Sequence, residues 1–303
     1  MGDTVKLVDL VQVTVGRMIH EHPVFSPDGK ALAYYGGTYG RLQIYLIGAD
    51  GTGERPLTCA RGNHTQPDFS PDGRHVYFRW QSSNEAPWSI VRVLVDDPSE
   101  RVVLLSDPKV SFKHPSVSPD GRWLAWFADT GTPGNFHLWK ARLDAKGVGK
   151  PVRLTDDRTR NDCHPTWSPD GRSLAFHAYL GVFEAKESHI FVCDADGGGA
   201  RQLTSEPGFH KHPFFVGRDL VVHHTEDADG RRRLALRAAG DGVLVGNLTS
   251  GKHNDKHPSP FVPERGPTRI CFASKKRGLD LPGQTDVNYD IFAGTLEGAR
   301  VRR

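Results

Sequence analysis

The sequence predicts an all-β fold, a six-bladed β-propeller of four-stranded antiparallel blades, on three observations. A short phrase returns six times: HPVFSPDG from His22, QPDFSPDG from Gln66, HPSVSPDG from His114, HPTWSPDG from His164, HPFFVGRD from His212 and HPSPFVPE from His257. The starts lie 44, 48, 50, 48 and 45 residues apart, the period of one supersecondary unit copied around an array. The third observation is a displaced strand: the segment that ends the other units is missing after the sixth copy, and a counterpart stands ahead of the first.

The fourth copy shows how one unit should fold. His164 to Ser168 reads as a short first strand, and Pro169-Asp170-Gly171 as a tight turn in which proline presets φ and glycine takes the left-handed position. Arg172 to His177 returns, with Leu174 and Phe176 alternating against polar neighbours. A third strand, His189 to Val192, leads through Asp196-Gly197 to a fourth, Arg201 to Thr204. The same outline recurs at Ile44-Tyr45-Leu46 with Leu57-Thr58, at Leu138-Trp139-Lys140 with Leu154-Thr155, and at Leu248-Thr249. In the sixth copy Asp290 to Ala293 supplies the third strand, and Val8 to Thr14 is expected to complete that blade as its outermost strand, closing the ring. Copies five and six replace the turn with Val216-Gly217-Arg218-Asp219 and Val262 to Gly266. Residues 1–303 are therefore read as one domain.

Composition is that of an ordinary globular chain, with 37% hydrophobic and 25% charged residues. A net charge of +3, with basic residues scattered apart from Arg231-Arg232-Arg233 and Lys275-Lys276-Arg277, does not point to nucleic acid. The first 15 residues show no basic leader or long apolar core, so neither an export signal nor a membrane span is expected. Four cysteines without a C-x-x-C fit reduced thiols and a cytoplasmic location.

The innermost strand of every blade lines the axial channel, so the opening residue of the phrase becomes a ring: His22, Gln66, His114, His164, His212 and His257. Two residues earlier, on the same side of an extended strand, stand His20, His64, Phe112, Asp162, His210 and Asp255. Eight of the 15 histidines fall in these two tiers. A single such histidine is most simply a turn residue satisfying nearby backbone. Five converging on one axis offer a cation a cluster of nitrogen acceptors, and imidazole with amide or carboxylate oxygen suits Mn, Fe, Zn, Ni or Cu. A divalent transition metal is expected, with His22, His114, His164, His212, His257, Gln66, His20 and His210 as candidate ligands. The returning strands end beside these entries, placing Tyr35, Arg79, Trp126, His177, His223 with His224, and Lys275 with Lys276 near the mouth. Of these, His177, His223, Arg79 and Lys275 are candidate catalytic residues. The acids of the SPDG turns lie at the opposite end of each hairpin, so the mouth should attract an anionic or carbohydrate-like ligand.

The four intact SPDG copies and the L-T endings resemble the TolB-type, WD-repeat-like β-propellers over nearly the whole chain. The segments HEHPVFSPDG from His20 and HKHPFF from His210 are similar to the H-x-H-P-x-F-x-P-D phrase of bacterial oligogalacturonate lyases. Those are cytoplasmic propeller enzymes in which the two histidines help hold manganese, and the resemblance implies that role for His20 and His22, or for His210 and His212. That family has seven blades where six repeats stand here. Two functions follow. The first is a metal-dependent enzyme at the channel mouth acting on a small anionic or sugar-like substrate, with lyase-like chemistry as one form. The alternative is a TolB-like, non-catalytic propeller that holds a protein or peptide. No G-x-S-x-G, P-loop, dinucleotide fingerprint or H-E-x-x-H marks another chemistry.

Overall fold

A computed structural model describes residues 4–16, 18–129, 134–181, 187–275 and 289–303. The described residues form six antiparallel blades in sequence order, each beginning with the strand that carries the repeated phrase, and a single parallel bridge from Ser188 to Phe209 joins blades 4 and 5 into one sheet. Blade 1 begins at Ile19–Phe25, blade 2 at Asn63–Phe69 and blade 3 at Phe112–Val117. Blades 4, 5 and 6 begin at Arg160–Trp167, Phe209–Val216 and Lys256–Phe261. Blade 6 is completed from the other end of the chain: Lys6–Gln12 pairs with Tyr289–Glu297, with Val11 opposite Ala293 and Gln12 opposite Phe292. The N-terminal strand is thus the outermost strand of the last blade, as the displaced segment predicts.

The L-T ending owes its threonine to one recurring bond. In each case a third-strand amide donates to the threonine hydroxyl, from Ile44 to Thr58, Leu138 to Thr155, Ile190 to Thr204 and Leu234 to Thr249, at 2.9 to 3.0 Å. In blade 6 the amide of Ile291 donates to Thr14 at 2.8 Å. Val13-Thr14 therefore stands in the place of Leu-Thr in blades 1, 3, 4 and 5.

The SPDG phrase is a self-contained turn. Ser26 donates its hydroxyl to Asp28 at 2.6 Å, Asp28 accepts the Lys30 amide, and Ser26 Oγ accepts the Ala31 amide. Gly29 sits at φ +68°, which only glycine adopts without cost. Blades 2, 3 and 4 repeat the serine–aspartate bond at 2.6, 2.5 and 2.7 Å. It helps hold Asp28, Asp72, Asp120 and Asp170 below the usual carboxylate range. Blade 5 departs because the chain's far end lies over it. The Arg218 amide donates to the Arg302 carbonyl, and a Cβ at Gly217 would collide with that same carbonyl.

The core is divided among the interfaces between blades. Six clusters of buried apolar residues join blades 1 with 2, 2 with 3, 3 with 4, 4 with 5, 5 with 6, and 6 with 1. The 6–1 cluster includes Val13 beside Phe25, Leu32, Tyr34 and Ile291, and the 5–6 cluster includes Val5. The N-terminal segment therefore contributes to two interfaces as well as one sheet. Deleting residues 1–15 should lower Tm by roughly 10 °C or more, at about 2 °C per kcal/mol for a chain of this size and several kcal/mol for two buried valines and their strand bonds. A calorimetric Tm equal to that of the full chain would refute ring closure by this strand.

Candidate functional site

Each innermost strand carries a bulge at the same place. Pairing with the returning strand shifts register between Glu21 and Val24, Thr65 and Asp68, Lys113 and Ser116, Cys163 and Thr166, Lys211 and Phe214, and Lys256 and Ser259. The two residues skipped are His-Pro in five blades and Gln-Pro in one, and proline has no amide to lose from the ladder. The residue before the proline is left-handed in all six: φ is +50° at His22, +57° at Gln66, +49° at His114, +54° at His164 and His212, and +53° at His257. Residues before proline ordinarily stay extended, and a left-handed non-glycine residue costs on the order of 1–3 kcal/mol.

That backbone turn swings the six side chains together. The His22 and His257 rings stack with centroids 3.5 Å apart, and His212 stands edge-on to both, at 5.0 and 4.3 Å. His164 lies 4.2 Å from His212 and 4.4 Å from His114, whose Nδ1 is 3.1 Å from its own. Gln66 reaches His164 with Nε2 atoms 3.5 Å apart. Five blades thus bring imidazoles into one continuous cluster.

The returning strands add a second layer, set by the residue opposite the start of each bulge. Those residues are Tyr35, Arg79, Phe127, His177 and His224 in blades 1 to 5, and the small Ala273 in blade 6. Tyr35 packs on His22, Phe127 and His177 on His164, and His224 on His212 and His257. Arg79 is largely buried, with Nε donating to Thr65 Oγ1 at 2.7 Å and its guanidinium 4.0 Å over the Trp88 ring. No carboxylate among the described residues pairs with it, and burial lowers its pKa to about 10. Its charge in turn disfavours protonation of His22, His114 and His164.

The other candidates lie elsewhere, and the bulge is the reason. It breaks the period-two alternation, so the tier two residues earlier faces away from the axial group. His20 points into the blade 6–1 interface, with Nδ1 3.1 Å from Asp290 Oδ1 and 3.2 Å from the Tyr289 carbonyl. His210 bonds the Glu206 carbonyl at 2.9 Å and neighbours His189 and His223. His223 is engaged on both nitrogens, by the His224 carbonyl and Arg237 Nε. In blade 3 it is Phe127 that meets the cluster, while Trp126 fills the core between blades 2 and 3. Lys275 lines a separate cavity of ≈ 820 Å³ with Leu10, Gln12, His253 and Phe292, and Lys276 lies outside the described residues. Glu21 and Phe127 are site residues that the sequence reading does not single out, and it places His224 near the mouth beside His223 without making it a catalytic candidate. The bulge register would have found His224, one residue after His223.

Burial keeps the axial imidazoles neutral. Desolvation, followed by neighbouring rings and cations, pushes His22, His164, His177, His212, His224 and His257 well below the usual histidine range, and His114 to about 3. Several ring nitrogens are left over: both of those of His22 and Nδ1 of His212, His224 and His257 are buried without a hydrogen-bond partner. One nitrogen each from His22, His212 and His257 lie within 4.8 Å of one another, close enough to share a metal ion.

Fold and site together define a β-propeller with an imidazole-lined axial site. The chain belongs to the TolB beta propeller domain family, PD40, whose model matches residues 9–179. An uncharacterized protein of Agrobacterium fabrum is 40% identical over 96 residues, so the chain spans about a third of that relative's length, 32%. TolB from Acinetobacter baumannii superposes with a TM-score of 0.60 at 16% identity, over 97% of this chain and 67% of that one. An oligogalacturonate lyase in complex with manganese superposes with a TM-score of 0.59 at 18% identity, over 98% of this chain and 96% of that one. At such identities the likenesses establish the fold.

The neutral cluster has a consequence for stability. Each of these rings has a folded pKa below its unfolded value of about 6.5, so below that pH the unfolded chain binds more protons. The stability they allow is present above pH 6.5 and is lost as pH falls toward the depressed folded values, about 3 for His114. Urea unfolding should show a steep loss between pH 7 and 5, and His164→Gln should make it shallower. Equal stability at both pH values would contradict neutral burial.

Proposed function

We propose that this protein is a metal-dependent enzyme acting on a small anionic, sugar-like substrate at the axial histidine site, with chemistry of the lyase kind. The observation that carries the reading is the convergence of His22, His212 and His257 with buried, unpartnered nitrogens. The donor set fits the group: neutral imidazoles from three blades each offer one lone pair to a divalent transition metal such as manganese or zinc, and buried ring nitrogens without a partner are otherwise costly. When bound, the metal would supply a Lewis acid that stabilises negative charge on substrate oxygens. The chain's own residues would do the rest. Arg79, largely buried and without a carboxylate partner among the described residues, would bind the anionic group, while Lys211 and Lys256 raise the local potential, as their effects on His177, His224 and His257 indicate. His177, beside His164 and His212, would take up a proton released from the substrate, the bound anion offsetting the burial and the Lys211 charge that disfavour its protonation. A structural neighbour that is an oligogalacturonate lyase with manganese supports this class of chemistry. Family membership alone supports the alternative, a non-catalytic propeller that holds a protein or peptide.

Metal analysis of protein purified without an affinity tag separates the two. Near-stoichiometric manganese, zinc or iron is expected, falling at least about tenfold in His212→Ala with melting behaviour retained, since the ring lines a channel and is not packed in the apolar core. Full occupancy in a His22→Ala, His212→Ala double variant would sink the assignment.

The anionic reading has its own check. A hexuronate should bind more tightly than the corresponding neutral hexose, less tightly at 300 mM than at 20 mM salt, and about tenfold or more weakly to Arg79→Met. Calorimetry showing equal affinity for acid and neutral sugar, with no effect of the substitution, would remove Arg79 from the site.

A further inference from the structure

One carboxylate stands among the axial cations and imidazoles. Glu21 immediately precedes His22 and is buried. Its counterparts in the other blades are Thr65, Lys113, Cys163, Lys211 and Lys256, so an acid occurs at this position in blade 1 alone. Each of its oxygens is committed. Oε1 accepts from Lys256 Nζ at 2.8 Å, and Oε2 accepts from the Tyr35 hydroxyl at 2.6 Å. The same Oε2 lies 3.7 Å from Nδ1 of His257. Two other histidines have a carboxylate within 4.0 Å, His20 and His189, and neither is axial.

The surroundings fix that carboxylate. The Lys256 ammonium sits 3.8 Å from the Tyr289 ring centre, and Tyr35 packs against His22. Glu21 is thus clamped between blades 1 and 6, the two blades whose histidines stack at 3.5 Å. A neutral imidazole carries one N–H, and a carboxylate beside Nδ1 favours the tautomer with the proton there. Nε2 is then left as the nitrogen with a free lone pair. Metal-ligating histidines commonly need such a partner to fix tautomer and ring orientation.

We infer that Glu21 is the positioning residue of the axial site: its charge, 3.7 Å from Nδ1 of His257 and beyond hydrogen-bond reach, favours the proton on that nitrogen so that Nε2 is presented to the metal, with Lys256 and Tyr35 keeping the carboxylate in place. The inference rests on the metal reading above, and its test separates the two. Affinity for Mn²⁺ and Co²⁺ would be measured by competition with a chelating dye, using untagged full-length protein, Glu21→Gln, Lys256→Met, the double variant of both, and His212→Ala. Glu21→Gln keeps the size of the side chain and an oxygen for Tyr35. It should weaken metal affinity by about 10- to 100-fold and shift the visible absorption of bound Co²⁺, a change that mere loosening of the blade interface would not produce. Lys256→Met should stay within a few-fold of wild type. The double variant, which leaves no buried charge unpaired, should reproduce the loss if the single variant proves unstable. Wild-type affinity with an unchanged Co²⁺ spectrum in the double variant would overturn the role of Glu21 while leaving the metal site standing. So would a loss in Lys256→Met equal to that in Glu21→Gln. A wild-type protein that binds neither ion would overturn the metal reading and this inference with it.

Discussion

The left-handed residue ahead of each proline is the constraint on which the site depends. An L-residue before proline is ordinarily extended, and an extended strand sends alternate side chains to opposite faces. Six blades instead place a histidine or glutamine at φ near +50°. The bulge gives every blade one side chain aimed at the axis, and it moves the partner residue on the returning strand into contact with it. Because neighbouring blades share their apolar cores, the ring is stiff enough to hold six such positions at once. Strain in the backbone and crowding of neutral imidazoles are thereby concentrated in the same few residues.

Much of the fold was legible in the chain because its signals are local and repeated. Ser-Pro-Asp-Gly encodes its own turn through the serine–aspartate bond, and Leu-Thr encodes an amide-to-hydroxyl bond across two strands. Four or five copies of each, at one spacing, leave little else for the sequence to be. The displaced Val13-Thr14 could be placed for the same reason, since its bond to Ile291 belongs to the repeat.

The site was only partly legible. The convergence of His22, His114, His164, His212 and His257 follows from their equivalent positions. Which neighbours join them depends on the register across the bulge, and a two-residue skip cannot be read from alternation. That is why His20 and His210 fall into interfaces between blades, why His224 meets the cluster in place of His223, and why Phe127 does so in place of Trp126. Glu21 was hidden for another reason: its partners Lys256 and His257 come from the far end of the chain and meet it only once the ring has closed.

Closure by a strand from the opposite end of the chain also has a kinetic side. Gln12 and Asp290, which bond in the finished blade, are separated by 278 positions. Contacts of such long sequence separation form late, because the loop between them must be ordered first. Until they form, Lys6–Gln12 is an unpaired strand carrying Leu10 and Val11, and the sixth sheet presents an open edge of matching register. Two unfinished chains at high concentration could each accept the other's strand and become interlocked dimers, so the expression level and refolding concentration would decide how much protein leaves folding as single rings.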